Sequence, residues 1–183
     1  MKRISFILAG LISMIVVSGF MLQQPKASVN QLSGANVMAF GPDNVLFVGD
    51  SKGGKILAIP TEAAKVEDPI PYNFLDFDLK LAEVLDIPVR DMIIQDMKVH
   101  PLSQEVYVAV KKGHAPDAPY VIAIVSPVGN EIRLLDPTAE ESTKVSIKNP
   151  ASKELVLWRD KQGSLQNITD IDYYDGSIYV AGI

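Results

Sequence analysis

The sequence predicts an all-β protein built from short antiparallel strands, and three observations lead to this fold class. A strand–turn–strand pattern occurs at three places, over residues 37–49, 96–109 and 170–182. The turns consist of Gly, Pro, Asp, Asn and Ser, which supply the backbone conformations that hairpins require. The runs between the turns are short, rich in β-branched and aromatic residues, and in places alternate with the two-residue period of a strand.

The three units differ in how many strands follow the first hairpin. The first unit continues through a glycine-rich turn at 50–54 into a third strand at 55–59. The second unit continues into a third strand at 120–125 and a fourth at 131–135. Four antiparallel strands in succession form one blade of a β-propeller, so we interpret the units as an incomplete propeller of about two and a half blades. The alternative is a β-sandwich or a simple meander.

The spacing between the units requires two insertions, because it exceeds the roughly 40 to 50 residues of a compact blade. The first insertion predicts one short helix, capped by Asp78 and stopped by Pro88. The second insertion, residues 136–167, is polar apart from one apolar cluster. We interpret it as a long loop with room for one extra strand.

Segments in all three units resemble those of known proteins. These segments are residues 40–43 with 46–51, 96–101 with 106–108, and 168–170 with 175–182. They are similar to the repeats of exported bacterial β-propeller proteins of the broad NHL and WD-like-repeat kind, and the similarity covers most of residues 34–183. The resemblance implies a propeller that binds proteins, sugars or metals, or acts as a lactonase or quinone-dependent dehydrogenase. Its motifs identify blades and select none of these activities, since a fold does not settle function.

The last unit stops at Ile183, directly after its second strand. A propeller needs about four to eight blades to close, and an unpaired strand leaves an edge that natural proteins usually cover. We therefore expect residues 34–183 to be a truncated propeller, and the chain to be the N-terminal part of a longer protein.

The N-terminus has the three-part pattern of a secretory signal peptide. Two basic residues are followed by an almost wholly apolar run and then by small residues that suit a signal peptidase, all within residues 1–19. We predict a signal peptide at 1–19, a flexible lead-in at 20–33, and a periplasmic or extracellular location. The alternative is an uncleaved anchor over residues 4–22, which would tether the protein to the membrane.

Charge and composition exclude several function classes. The net charge is −5 and no large basic cluster occurs, so nucleic-acid binding lacks its electrostatic footprint. The chain has no cysteine, which excludes disulfides, thiolate metal sites and a cysteine nucleophile. Residues 49–55 nearly match a phosphate-binding loop, but Ile56 follows the Lys where Ser or Thr is needed, and a strand begins there. This segment therefore predicts a hairpin turn.

Asp96 and Asp170 are the candidate metal ligands. Each stands in an Ile-x-Asp sequence that we place immediately before the first strand of its unit. In a propeller the first strands line the central channel, so the two carboxylates would converge near one mouth and suit a calcium ion or acid–base chemistry. The alternative is that each carboxylate accepts backbone N–H bonds in a turn. The corresponding residue of the first unit is Val37, with Asn36 one position earlier.

Other polar and aromatic residues have a structural interpretation. His100 and His114 are interpreted as surface turn residues, because neither has a partner at metal-ligand spacing. Trp158 with Arg159 is interpreted as a hydrophobic plug rather than a contact patch. Asn167 begins an Asn-Ile-Thr acceptor for glycosylation, which matters only in a host that has the machinery.

The sequence favours an exported β-propeller that serves as a binding or interaction scaffold, because the repeats come without an assembled catalytic set. The partner would be a protein or a small molecule, and calcium is the one cofactor that the residues suggest. One alternative is a metal-dependent, calcium-type propeller hydrolase or lactonase that uses Asp96 and Asp170. The other is a periplasmic protein whose only link to the membrane is the uncleaved N-terminal segment.

Overall fold

The computed structural model describes residues 32–68, 71–137 and 142–183 of the chain, and these residues form a mostly β structure with antiparallel sheets. The predicted signal peptide lies outside the described residues, as does the lead-in up to residue 31. The last two residues of the lead-in are described and are held in place. Leu32 is buried in the core, and Ser33 bonds to the buried Asp50.

The described residues contain ten strands and one α-helix. In chain order these are β1 (Ala35–Phe40), β2 (Val45–Asp50), β3 (Lys55–Pro60), α1 (Phe77–Leu85), β4 (Met92–Val99), β5 (Val106–Lys112), β6 (Tyr120–Val125), β7 (Ile132–Leu134), β8 (Thr143–Ser146), β9 (Asp170–Tyr174) and β10 (Ser177–Ala181). The strands that the three units predict are confirmed.

The strands form three antiparallel sheets. The first sheet has the order β1-β2-β3-β8, the second β4-β5-β6-β7, and the third consists of β9 and β10. The second sheet is a four-strand meander, as its unit predicts. The first sheet takes its fourth strand from the second insertion, because β8 pairs with β3. The extra strand therefore exists, but it completes the first unit.

The main core lies between the first and second sheets. Alternate residues of the facing strands meet there, as the two-residue period of a strand requires. The buried residues are Met38, Leu46, Val48, Leu57 and Ile59 from the first sheet with Tyr107, Ala109, Ile122 and Ile124 from the second. A second cluster covers the outer face of the second sheet, where Leu81 and Leu85 of α1 pack on Val108, Val110, Ala123 and Val125.

The helix of the first insertion is present, but Asp78 does not cap it. The N-cap residue is Asp76, in the left-handed conformation, and Asp78 lies in the first turn. A carboxylate in the first turn still faces the positive end of the helix dipole. The helix ends at Leu85, before Pro88, as predicted.

The spatial order of the sheets differs from their order in the chain. Strand β1 packs against β4 on one side and against β9 on the other, so the order in space is third, first, second. The second insertion makes this arrangement possible. After leaving the second sheet the chain forms β8 at the outer edge of the first sheet, and the Ile147 amide then bonds to the Gly54 carbonyl at 2.8 Å. From there the chain reaches β9 beyond the first sheet.

Candidate functional site

Comparable residues lie at a bulge of β1, at a bulge of β4 and directly before β9. The pairing of β1 with β2 shifts between Ala35 and Val37, and the pairing of β4 with β5 shifts between Ile94 and Asp96. Asn36 and Gln95 are therefore the extra residues of two bulges, and bulges re-aim side chains. Thr169 lies directly before β9, and it precedes Asp170 as Gln95 precedes Asp96 and Asn36 precedes Val37 in the other two units.

These three comparable residues, Asn36, Gln95 and Thr169, line one pocket of about 350 Å³. We call it the junction pocket, because it lies where the three sheets meet. Its other lining residues are Gly34, Ser51, Lys52, Tyr120, Leu165, Gln166 and Ile168. The walls carry amide and hydroxyl groups, while Tyr120, Leu165 and Ile168 supply apolar surface. No Asp or Glu occurs among the described residues that line the junction pocket.

Asn36 and Ser51 join the first sheet to the chain entering β9. The Asn36 side-chain amide donates to the Ile168 carbonyl at 2.7 Å, and its oxygen accepts the Ser51 amide at 3.2 Å. The buried Ser51 hydroxyl accepts the Ile168 amide at 3.0 Å and donates to the Ser164 carbonyl at 3.3 Å. This wall of the junction pocket is therefore fixed before any ligand arrives.

Asn167 supports the same wall from behind. Its side-chain amide donates to the carbonyls of Ser51 and Ser164, each at 3.2 Å, and its oxygen accepts the Ala151 amide at 2.6 Å. The side chain is buried and its polar atoms are engaged. In this fold the glycosylation acceptor is consequently inaccessible, although its sequence pattern is present.

The glycine-rich segment 49–55 forms the predicted hairpin turn, and a buried carboxylate holds the turn. Asp50 accepts bonds from the Ser33 amide at 3.0 Å and the Gly53 amide at 2.7 Å, and the Lys55 ammonium lies 3.5 Å away. A Cβ at Gly53 would approach Asp50 to 2.6 Å, so this position needs glycine. The turn presents Lys52 to the junction pocket, with the Lys52 ammonium donating to the Pro116 carbonyl at 2.8 Å.

Tyr120 contributes a neutral phenol to the junction pocket. Burial raises the pKa of Tyr120, and the negative charge of Asp50 raises it further. The hydroxyl therefore stays protonated at neutral pH and can both donate and accept a hydrogen bond.

Asp96 binds the backbone of a neighbouring strand. It lies inside β4 rather than before it, because the strand begins at Met92. One carboxylate oxygen accepts the Met38 amide of β1 at 2.8 Å, and the other accepts the Met97 amide at 2.8 Å. Asp96 thus satisfies an N–H group on the edge of β1 that faces away from β2.

Asp170 is the first residue of β9, and its carboxylate accepts the following amide, of Ile171, at 2.9 Å. It also borders a second cavity, of about 440 Å³, which Lys98 and Asp172 line as well. Asp96 does not line that cavity. In the described part of the chain, no group of three or more His, Cys, Asp or Glu side chains could hold a metal ion. Calcium binding by Asp96 and Asp170 stays a prediction.

His100 lies in its predicted turn, but it is completely buried rather than on the surface. Its Nδ1 atom accepts the amides of Leu102 at 3.1 Å and Ser103 at 3.2 Å, and its ring centroid lies 4.7 Å from that of Phe40. Burial lowers the pKa of His100, and the negative charge of Glu105 opposes this shift. The turn needs an acceptor within the core, which a His-Pro pair in the sequence does not reveal.

Two further residues can be compared with their interpretations. His114 is exposed, as predicted, and its Nε2 atom lies 2.9 Å from the Arg90 carbonyl oxygen. Trp158 is 70% exposed, so it is no hydrophobic plug. The Arg159 guanidinium lies 4.3 Å from the centre of the Trp158 ring, and the contact-patch alternative fits this geometry.

Comparison of the chain with protein-family models, curated proteins and solved structures found no match. Among the described residues, no helix has both the length and the apolar character needed to cross a membrane.

Proposed function

We propose that this protein is an exported β-propeller binding scaffold, and that the junction pocket takes up a small, neutral, polyhydroxylated ligand such as a saccharide. The observation that carries the proposal is the convergence of Asn36, Gln95 and Thr169 on one pocket. Small-molecule sites typically combine apolar surface with a few fixed polar groups, and they tend to lie between structural units. Export is inferred from the signal-peptide pattern at residues 1–19.

The chemistry of the lining favours a neutral ligand. A cation would need carboxylates, and no lining residue carries one. Among the described lining residues the one formal charge is the Lys52 ammonium, which donates one of its three N–H groups to the Pro116 carbonyl. Amides, hydroxyls and a protonated phenol both donate and accept hydrogen bonds, and an apolar ring face can stack against Tyr120, so the lining matches hydroxyl groups on a compact ring.

The three sheets are blades of the proposed propeller. It is supported by the four-strand meander of the second sheet and by the first strands, β9, β1 and β4, which lie side by side. The third sheet packs beside the first rather than the second. The blades would therefore follow the spatial order third, first, second.

The test is titration of the ¹⁵N-labelled protein with glucose, galactose and N-acetylglucosamine, with glucuronate and glucosamine as charged counterparts. We expect a neutral probe to shift the amide signals of Gln95, Gln166 and Thr169. Thr169→Val and Gln95→Leu should each weaken that binding about tenfold, because a hydrogen bond to the ligand is lost. Thr169→Ser, which keeps the hydroxyl, should bind nearly as well as the original protein. Shifts confined to other surfaces, or binding of the charged probes alone, would contradict the proposal.

A further inference from the structure

A buried histidine holds the turn between β4 and β5. Nδ1 of His100 accepts the amides of Leu102 at 3.1 Å and Ser103 at 3.2 Å, so this nitrogen carries no proton. A neutral imidazole then holds its proton on Nε2, and among the described residues that atom has no hydrogen-bond partner. A further proton can therefore enter only at Nδ1, where it would meet two N–H groups and break both bonds.

The surroundings of the ring keep it neutral. The ring is completely buried, and its centroid lies 4.7 Å from that of Phe40 and 6.2 Å from that of Tyr107. Burial lowers the pKa of His100, and it raises the pKa of Tyr107, which stays an uncharged phenol. The negative charge of Glu105 favours a protonated His100, but the Arg133 guanidinium lies 2.9 Å from the Glu105 carboxylate and offsets this charge.

The turn holds a segment that we call the strap, residues 62–68 of the chain that leaves β3. The Val66 amide of the strap donates to the Leu102 carbonyl at 2.9 Å. Leu102 is also the residue whose own amide donates to His100. A turn that loses the bond from Leu102 to the ring therefore also loses the fixed position of the carbonyl that binds the strap.

A second attachment uses the same turn. The hydroxyl of Tyr72, beyond the strap, lies 2.6 Å from the Gln104 carbonyl oxygen and 3.1 Å from that of Val125. Gln104 has a left-handed φ of 59°, and its amide donates to the His100 carbonyl at 3.0 Å. A residue other than glycine keeps this conformation only when its surroundings hold it there. Both attachments therefore depend on the shape of the turn around His100.

The strap forms one wall of a cavity of about 350 Å³, which we call the strap cavity. The strap contributes Glu62, Ala63, Ala64 and Val66, and the other walls include Ser103 of the turn and Arg133. The strap cavity borders the end of β6, at Ser126, whereas the junction pocket borders its start, at Tyr120. Detachment of the strap would open the strap cavity along one side and leave the junction pocket in place.

We propose that the turn around His100 is an acid-sensitive latch, in which protonation of His100 releases the strap and opens the strap cavity while the three sheets stay folded. The latched form excludes the proton, and the released form binds it as a solvated histidine does. The ratio of released to latched protein should therefore rise as the pH falls below about 6.5, by up to about tenfold per pH unit. The two core clusters consist of hydrophobic residues, which take up no proton in this range.

The test follows the ¹⁵N-labelled protein by NMR between about pH 7.5 and pH 4.5, which spans the ordinary range of histidine titration. Long-range ¹H–¹⁵N spectra of the imidazole rings report the protonation of His100 and His114 separately. Hydrogen exchange, corrected for the intrinsic rate at each pH, reports the protection of the Val66 and Leu102 amides. We expect both amides to lose protection as His100 becomes protonated, at a pH at which Val108 of β5 is still protected.

Three variants test the latch itself. His100→Asn keeps a side-chain oxygen for the turn amides but does not titrate, so Val66 should stay protected at the pH that releases the strap of the original protein. Tyr72→Phe removes a hydrogen bond of the latched form, so the midpoint of release should rise by about half a pH unit to one unit. His114→Asn is the matched control and should leave the midpoint unchanged.

Three results would overturn the proposal. The first is protection of the Val66 and Leu102 amides that persists after His100 is protonated. The second is protection of these amides that is lost only together with that of Val108, or not at all. The third is a folded His100→Asn variant that releases the strap at the same pH as the original protein. The first two results come from the original protein, so they decide the case even if His100→Asn does not fold.

Discussion

At the residue scale, the polar side chains around the junction pocket divide into two groups. The first group forms hydrogen bonds with backbone groups and stabilises the walls; it consists of Asp50, Ser51 and Asn167. Gln95 and Thr169 face the space between the sheets. The sequence indicates the right region, because Asp96 and Asp170 each follow one of the pocket residues directly. It does not reveal the one-residue offset, since a bulge depends on the register of the neighbouring strand.

The first prediction at this scale concerns His100. Its pKa in the folded state is lowered by burial, so below about pH 6.5 the unfolded chain binds the proton more readily. We expect the free energy of unfolding to fall as the pH drops below about 6.5, with a slope of at most about 1.4 kcal/mol per pH unit from this group. Urea unfolding of the original protein at a series of pH values measures the slope.

The control for this prediction compares the two histidines. His100→Asn supplies a side-chain oxygen for the amides of Leu102 and Ser103, and it should reduce the pH dependence while lowering overall stability. His114→Asn, at an exposed position, should leave the pH dependence as it was. Equal slopes in the original protein and in His100→Asn would contradict the assignment.

The second prediction concerns Asp96 and Asp170. Asp96 accepts an amide from another sheet, so Asp96→Ala leaves the Met38 N–H unpaired and should cost about 1–3 kcal/mol of stability. Asp170 is exposed, and its carboxylate accepts the amide of the next residue, Ile171, within the same strand. Asp170→Ala should therefore lower the free energy of unfolding by less than Asp96→Ala does. Thermal unfolding with and without calcium chloride measures both effects. Equal losses, together with a calcium stabilisation that both variants abolish, would instead support the metal prediction.

At the element scale, local sequence patterns predict the hairpins but do not predict which strands pair when they are far apart in the chain. β9 and β10 are foreseen because Asp175 and Gly176 suit a tight turn. The partner of β8 is not foreseen, because β3 is far away in the chain and four exposed residues carry no signal of which edge they join. The N-cap is Asp76 rather than Asp78. Both acidic residues suit the start of a helix, and the bond from the Lys80 amide to the Asp76 carbonyl, which the sequence does not reveal, decides between them.

At the whole-molecule scale, the sequence predicts three units but not their neighbours. The hydrophobic pattern shows that both faces of the first sheet are apolar, because the neighbouring residues Ile56 and Leu57 of β3 point to opposite faces. It does not tell which sheet covers which face. The polar contacts that place β9 against the first sheet, Asn36 with Ile168 and Ser51 with Ile168, join residues more than a hundred positions apart.

The third sheet packs on the first, and this arrangement brings Asn36, Gln95 and Thr169 around one pocket. Nuclear Overhauser effects in the ¹³C,¹⁵N-labelled protein test it most directly. We expect cross-peaks between the γ2 methyl of Ile168 and the α protons of Gly49, and between the rings of Phe47 and Tyr173, whose centroids lie 6.1 Å apart. Absence of these cross-peaks, with contacts from β9 to the second sheet in their place, would contradict the spatial order and remove the junction pocket.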